Sequence, residues 1–199
     1  VKKVLHDTVT VVKENQMQGV DKIQEESAKV TKLTDKITDY LAGLFSSGLL
    51  TEQQASQTAG LMYVLGDVER IGNLSAGIAL SMKEKETNQY KYSQEAMDEL
   101  AKCLKTLEKM FDSATKALRG DTTVELEKLM KRKDKIVNLD IMMRKSHIQR
   151  VNKGKCKASL TTPFTNILHL IDRMGNSCIN LADVAESGTS MKYFMLEEK

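Results

Sequence analysis

Apolar residues recur every three or four positions along most of this chain, a spacing that places them on one face of an α-helix. Glycine-containing breaks interrupt the pattern, and no segment shows the alternation expected of a strand. The periodic segments cover about 1–17, 19–46, 51–85, 93–118 and 122–152, and a last one that begins between Ala158 and Pro163. Three helices followed by three more predict an all-α fold of two tandem three-helix-bundle repeats.

A short motif occurs once in each half of the chain. The first copy reads Glu69-Arg70-Ile71-Gly72-Asn73, and the second reads Asp172-Arg173-Met174-Gly175-Asn176. The acid and the amide of each copy are four residues apart, so they share one face of a helix. Glycine within a helix costs about 1 kcal/mol relative to alanine, and its presence in both copies indicates that another group comes close there.

The duplicated motif divides the chain into two units. We predict a first repeat over residues 1–90, a second repeat over residues 91–187, and an irregular tail over residues 188–199.

Positive charge is concentrated in one segment, although the whole chain carries a formal net charge of only +3. Eleven Lys or Arg residues stand against two Asp residues between Lys128 and Lys157. Two interpretations stay open: a solvated basic face, or a docking surface for anionic lipid headgroups or an acidic partner. The candidate interaction residues are Lys128, Lys131, Arg132, Lys133 and Lys135. Aromatic residues are too few for a stacking platform, so we expect no nucleic-acid partner.

Other kinds of site have little support in the sequence. No run of about 18 apolar residues is present to span a membrane. No nucleophile elbow, phosphate loop or dinucleotide motif appears, so we expect no enzymatic activity. The three cysteines, Cys103, Cys156 and Cys178, include no CxxC pair and favour free thiols in a reducing compartment. The three histidines also lack the spacing of metal ligands.

The repeated motif resembles the ERIGD signature that occurs once per half in the PhoU family of phosphate-uptake regulators. Longer segments are similar to the PhoU-like domain that follows the membrane part of bacterial sodium/phosphate cotransporters: LAGLFSSGLLTEQQASQTAGLMYVLGDVERIGN and HIQRVNKGKCKASLTTPFTNILHLIDRMGN. This resemblance implies two three-helix bundles side by side and a regulatory role on the cytoplasmic side of the cell membrane. It also implies an upstream transmembrane region in the full protein.

The partners implied by the resemblance are a transmembrane transporter domain of the same polypeptide or a phosphate-signalling protein. A homodimer is a further arrangement that the sequence leaves open.

Some members of the family bind iron or other metals through the acid pair of the motif. Carried over to this chain, the resemblance points to Glu69 with Asn73 and to Asp172 with Asn176 as ligands of a divalent cation or iron. The family's second acid is Asn in both copies, which removes negative charge that a multinuclear cation site needs.

The alternative interpretation of the motif is structural. In it, the acids and the arginines Arg70 and Arg173 make polar contacts between the two bundles. The asparagines hydrogen-bond across helices, and Gly72 and Gly175 permit close approach at the bundle contact.

Overall fold

The computed structural model describes residues 1–15, 17–87, 92–121 and 124–186, and these residues are helical with no strand. The long helices are α1 (Lys2–Glu14), α2 (Val20–Ser46), α3 (Glu52–Thr87), α4 (Gln94–Leu118), α5 (Leu126–Asn152) and α6 (Thr161–Glu186). The predicted all-α fold with two three-helix repeats is confirmed. The predicted boundary between residues 90 and 91 and the predicted tail at 188–199 lie outside the described residues.

Local sequence signals explain where several helices begin and end. The Thr51 hydroxyl accepts a hydrogen bond from the Gln54 backbone N–H at 3.2 Å, and the Gln54 side chain accepts one from the Thr51 N–H at 3.0 Å. This reciprocal pair caps the start of α3. Ser93 caps α4 by accepting from the Ala96 N–H at 3.3 Å. The first helix ends at Glu14, three residues before the predicted end, because Asn15 adopts a left-handed conformation with φ of 54°.

The two repeats are joined through their first and third helices. Helix α1 packs on α4, and α3 packs on α6, so four helices form the centre of the molecule. Lys2 lies 2.9 Å from Asp112, and His6 lies 2.7 Å from Glu108, which shows that α1 and α4 run antiparallel. The second helix of each repeat is on the outside, with α2 against α3 and α5 against α4 and α6.

A single hydrophobic core extends through both repeats. Its fully buried members include Leu5 and Ile71 from the first repeat and Leu107, Phe164 and Ile171 from the second. The repeats therefore form one body with a shared interior. In the part of the chain that is described, no helix has the length and apolar character needed to cross a membrane.

Candidate functional site

The motif of the first repeat lies on α3 and faces hydroxyl groups of α2. The Ser27 hydroxyl donates to the Asn73 side-chain oxygen at 2.9 Å, and the Thr31 hydroxyl lies 3.4 Å from the same oxygen. The Asn73 amide nitrogen donates to Glu69 Oε1 at 3.3 Å. The other members of this hydrogen-bonded set are two hydroxyls and the Asn73 amide. The carboxylate of Glu69 is therefore its single charged group.

The motif of the second repeat lies on α6 and holds a lysine of α5. The Lys133 ammonium donates to Asp172 Oδ1 in a short ion pair, and also to the Asp172 backbone carbonyl at 3.0 Å. The Lys133 side chain is only 13% exposed, whereas that of Asp172 is 45% exposed. Asn176 is more loosely engaged, since its amide nitrogen lies 3.5 Å from Asp172 Oδ2. The second site is thus an ion pair between two helices of one repeat.

Ser27 and Lys133 occupy equivalent places in the two repeats. Each is the eighth residue of an outer helix of 27 residues. Each also lies against the motif glycine: a Cβ atom added at Gly72 would be 3.9 Å from Ser27 Oγ, and one at Gly175 would be 3.0 Å from Lys133 Cδ. The approach is tight at Gly175, where the lysine stem crosses the helix, and ordinary at Gly72. The atoms nearest to each glycine belong to its own repeat, so the two glycines do not lie at the predicted contact between the bundles.

The residues present do not fit a metal cluster of the kind that the family resemblance implies. In the second repeat the charge beside Asp172 is a lysine ammonium, which is a cation with donors only and no lone pair to offer a metal. In the first repeat, Glu69 is accompanied by neutral oxygens, which bind a multinuclear cation weakly. Among the described residues, no group of three or more His, Cys, Asp or Glu side chains is placed to hold a metal ion.

The motif arginines do not make the predicted contact between the bundles. Arg70 lies 3.5 Å from Asp67 on its own helix and is half-exposed, and Arg173 is exposed with no ion pair to any described residue. A buried polar link between the repeats is made by Asp67, a carboxylate on α3. It accepts a hydrogen bond from Asn180 of α6 at 3.2 Å. Asp67 precedes the motif, so the duplicated sequence motif did not identify it.

The five basic residues singled out on α5 do not share one surface role. Lys128 and Lys131 form exposed pairs with Glu125 and Glu127 within the same segment. Arg132 reaches back to α4, where it donates to the Ser113 hydroxyl at 2.8 Å. Lys133 is half of the ion pair described above. Of the five, Lys135 is the one whose ammonium makes no ion pair or hydrogen bond with a described residue.

A histidine and a cysteine that looked isolated in the sequence lie together at the end of α5. His147 is buried, stacks on Phe164 at 5.0 Å, and lies 3.0 Å from the Thr161 hydroxyl through Nε2. Its Nδ1 is 3.8 Å from Cys156 Sγ. Burial lowers the pKa of His147, and the nearby Arg150 lowers it further, so the ring favours its neutral form. The loop between α5 and α6 folds back to make this contact, which sequence spacing does not reveal.

The other two cysteines, Cys103 and Cys178, are buried in the core. Burial raises the pKa of the Cys103 thiol to about 12, and it raises that of Cys178 to about 12 as well. Both thiols are therefore protonated at neutral pH and are poor nucleophiles.

The chain is thus a tandem repeat of three-helix bundles with a joint core and one acid–Arg–aliphatic–Gly–Asn motif per repeat. The comparison with family models identifies the particular family. The PhoU domain model matches residues 1–82 and again residues 100–185, and the chain belongs to the PhoU family. The PhoU family is a family of regulatory domains, and its domain in this chain suggests a role in the regulation of phosphate uptake. No curated protein and no solved structure matches the chain.

Proposed function

We propose that this chain is a regulatory domain that controls sodium-coupled phosphate uptake from the cytoplasmic side of the cell membrane. In this proposal it acts by binding the transporter part of the same polypeptide or a phosphate-signalling protein. The match of the PhoU domain to both repeats carries the proposal.

The surface that we assign to this contact is the outer side of α5. Met130, Val137, Ile141 and Ile148 follow one another at intervals of seven, four and seven residues, which keeps them on one line along the helix. Their exposed fractions range from 38 to 59%. The exposed Asp134 and Lys145 lie between these residues, so the line combines apolar side chains with charged ones, which is typical of a surface that packs against another protein.

Charged residues beside this line define the kind of partner that suits it. Lys145 is exposed next to the apolar line, and Lys131 is exposed one turn away, where its charge is partly balanced by Glu127. Apolar side chains flanked mainly by lysines, with one acid, Asp134, among them, favour a partner helix with an apolar stripe and mainly acidic edges.

The test is the replacement of two apolar side chains of α5 in the full protein. Ile141→Ser with Ile148→Ser removes the central contacts, and both positions are exposed, so folding stability should change by less than about 0.5 kcal/mol each. Labelled-phosphate uptake should differ between these cells and cells with the unaltered protein.

The matched control replaces exposed apolar residues of the other outer helix, with Tyr40→Ser and Phe45→Ser on α2. Uptake in the control should equal that of the unaltered protein. If the α5 variant and the unaltered protein take up phosphate equally, α5 is not the regulatory surface.

A further inference from the structure

A groove lined mainly by lysines lies on the side of the molecule where the two repeats meet. It is formed by the last turn of α1, the middle of α4 and the first half of α5, and its volume is about 340 Å³. The lysines that line it are Lys13, Lys102, Lys105, Lys109 and Lys135. One acidic residue, Asp98, also lines it, so the groove carries a net charge of +4.

The fold brings these lysines together from three helices. Lys102, Lys105 and Lys109 follow at intervals of three and four residues, which places them on one face of α4. Lys13 is added by α1 of the first repeat and Lys135 by α5 of the second. The groove therefore exists only when both repeats are folded against each other.

The positive charge of the groove is only partly balanced by its one acidic residue, Asp98. None of the five lysine ammonium groups forms an ion pair with a described residue. Asp98 is instead engaged by the Gln94 side chain, whose nitrogen donates to it at 3.0 Å. Several like charges around one concavity raise the local concentration of anions, because their potentials add.

We infer that the groove binds a free, multiply phosphorylated anion. Lysine ammonium groups bind phosphate oxygens as point charges, and a groove of this volume accommodates several linked phosphates. The lining contains no aromatic side chain on which a nucleobase could stack, which favours a phosphate chain over a nucleotide. The groove is open to solvent, and its lysines come from three helices around one depression, which favours a compact soluble anion over a flat membrane surface.

This binding goes beyond the proposed control of uptake, and it is measured without a transporter. Titration calorimetry of the full 199-residue chain with tripolyphosphate should show binding that weakens as salt is added, because salt screens the lysine charges. Orthophosphate should bind more weakly than tripolyphosphate, since it contacts fewer of the lysines.

The decisive variant is Lys102→Gln, Lys105→Gln, Lys109→Gln. Glutamine and lysine have similar helix propensity, so α4 should stay folded. Three lost charge contacts should weaken tripolyphosphate binding by at least about tenfold. The control is Lys22→Gln, Lys32→Gln, Lys36→Gln, which removes the same charge from exposed positions of α2 outside the groove.

The control variant should bind tripolyphosphate as the unaltered chain does. Equal weakening of the groove variant and the control would overturn the inference, because it would mean that total charge alone governs binding. Binding to phosphatidylcholine vesicles that contain phosphatidic acid, without binding to tripolyphosphate, would also overturn it in favour of a membrane. Neither result would alter the uptake test of α5, so the two proposals fail separately.

Discussion

The two motif sites have the same helix geometry but differ in charge. In the first repeat, Ser27 places a neutral hydroxyl on Asn73, and in the second, Lys133 places a positive charge on Asp172. Both residues are at the same position of an outer helix, and both lie over a glycine. The two repeats therefore share the helix geometry of the motif and differ in its charge. A cation that belongs to the protein itself occupies the acid of the second repeat.

The largest expected effect is a difference in the free energy of unfolding between variants of the two motif acids, Asp172 and Glu69. Asp172→Ala leaves the largely buried Lys133 ammonium without its carboxylate and should lower the free energy of unfolding by about 1–2 kcal/mol, given the partial exposure of Asp172. Glu69→Ala removes only a 3.3 Å contact with Asn73 and should cost less than about 0.5 kcal/mol. Urea unfolding measures both values, with Asp172→Asn as the control that keeps one oxygen. Equal losses in the two alanine variants would contradict the assigned ion pair.

Replacing the two motif glycines by alanine should produce a somewhat smaller difference in the free energy of unfolding. Gly72→Ala meets ordinary contacts, so it should stabilise α3 by up to about 1 kcal/mol. Gly175→Ala should lose this gain, because the new Cβ would lie 3.0 Å from Lys133 Cδ and displace a side chain held by Asp172.

The control for the glycine pair is Gly175→Ala combined with Lys133→Ser, which gives the second site the side chain of the first. The same unfolding experiment should then show the gain expected of Gly72→Ala over the Lys133→Ser single variant. A stabilising Gly175→Ala with Lys133 in place would show that the lysine stem does not restrict that position.

The third prediction concerns whether an added metal ion can replace the Lys133 ammonium beside Asp172. The melting temperature of the unaltered chain should not change on addition of Mn²⁺, because Lys133 neutralises Asp172. Lys133→Asp puts a second carboxylate beside Asp172, so Mn²⁺ should then raise the melting temperature. Lys131→Asp makes the same charge change at an exposed position and serves as the control. An equal shift in the unaltered chain would mean that Glu69 or Asp172 already holds a cation.

The smallest expected effect is on the pH dependence of folding stability, and it arises near the C-terminal end of α5. His147 of α5 is equivalent to Leu41 of α2, since each is the twenty-second residue of its helix. The pKa of His147 is lowered in the folded state, so the unfolded chain binds the proton more readily. Its contribution to stability is complete above about pH 6.5 and is lost as the pH falls towards the folded pKa.

His147→Leu, which copies the first repeat, should flatten this part of the stability profile between about pH 5 and pH 7 in urea unfolding. Leu41→Met conserves apolar character at the equivalent position and is the control that should keep the slope. A variant His147→Leu with an unchanged slope would assign the pH dependence to other groups.

The sequence predicted the helices and their order because helical periodicity and capping residues act locally. The capping pair Thr51–Gln54 and the cap at Ser93 are visible in the letters and occur as expected. The candidate site could be predicted only in part. The motif located its two halves, but the partners Ser27 and Lys133 are set by how α2 and α5 pack, which no local pattern specifies.

Contacts that depend on tertiary structure were the ones missed. Asp67 and Asn180 are far apart in the sequence and meet because α3 packs on α6. His147 and Cys156 meet because a loop folds back. The basic segment between Lys128 and Lys157 was visible as composition, but Lys135 joins lysines of α1 and α4 only in the folded molecule.

The pairing of α1 with α4 and of α3 with α6 has a consequence for the architecture as a whole. A chain with one repeat would expose the inner faces of its first and third helices, and a second copy related by a two-fold axis would cover them. This molecule joins the two repeats in one polypeptide and covers the same faces without a second chain. Covalent linkage removes the requirement that the two subunits be identical, so a position such as Ser27 in one half can be lysine in the other.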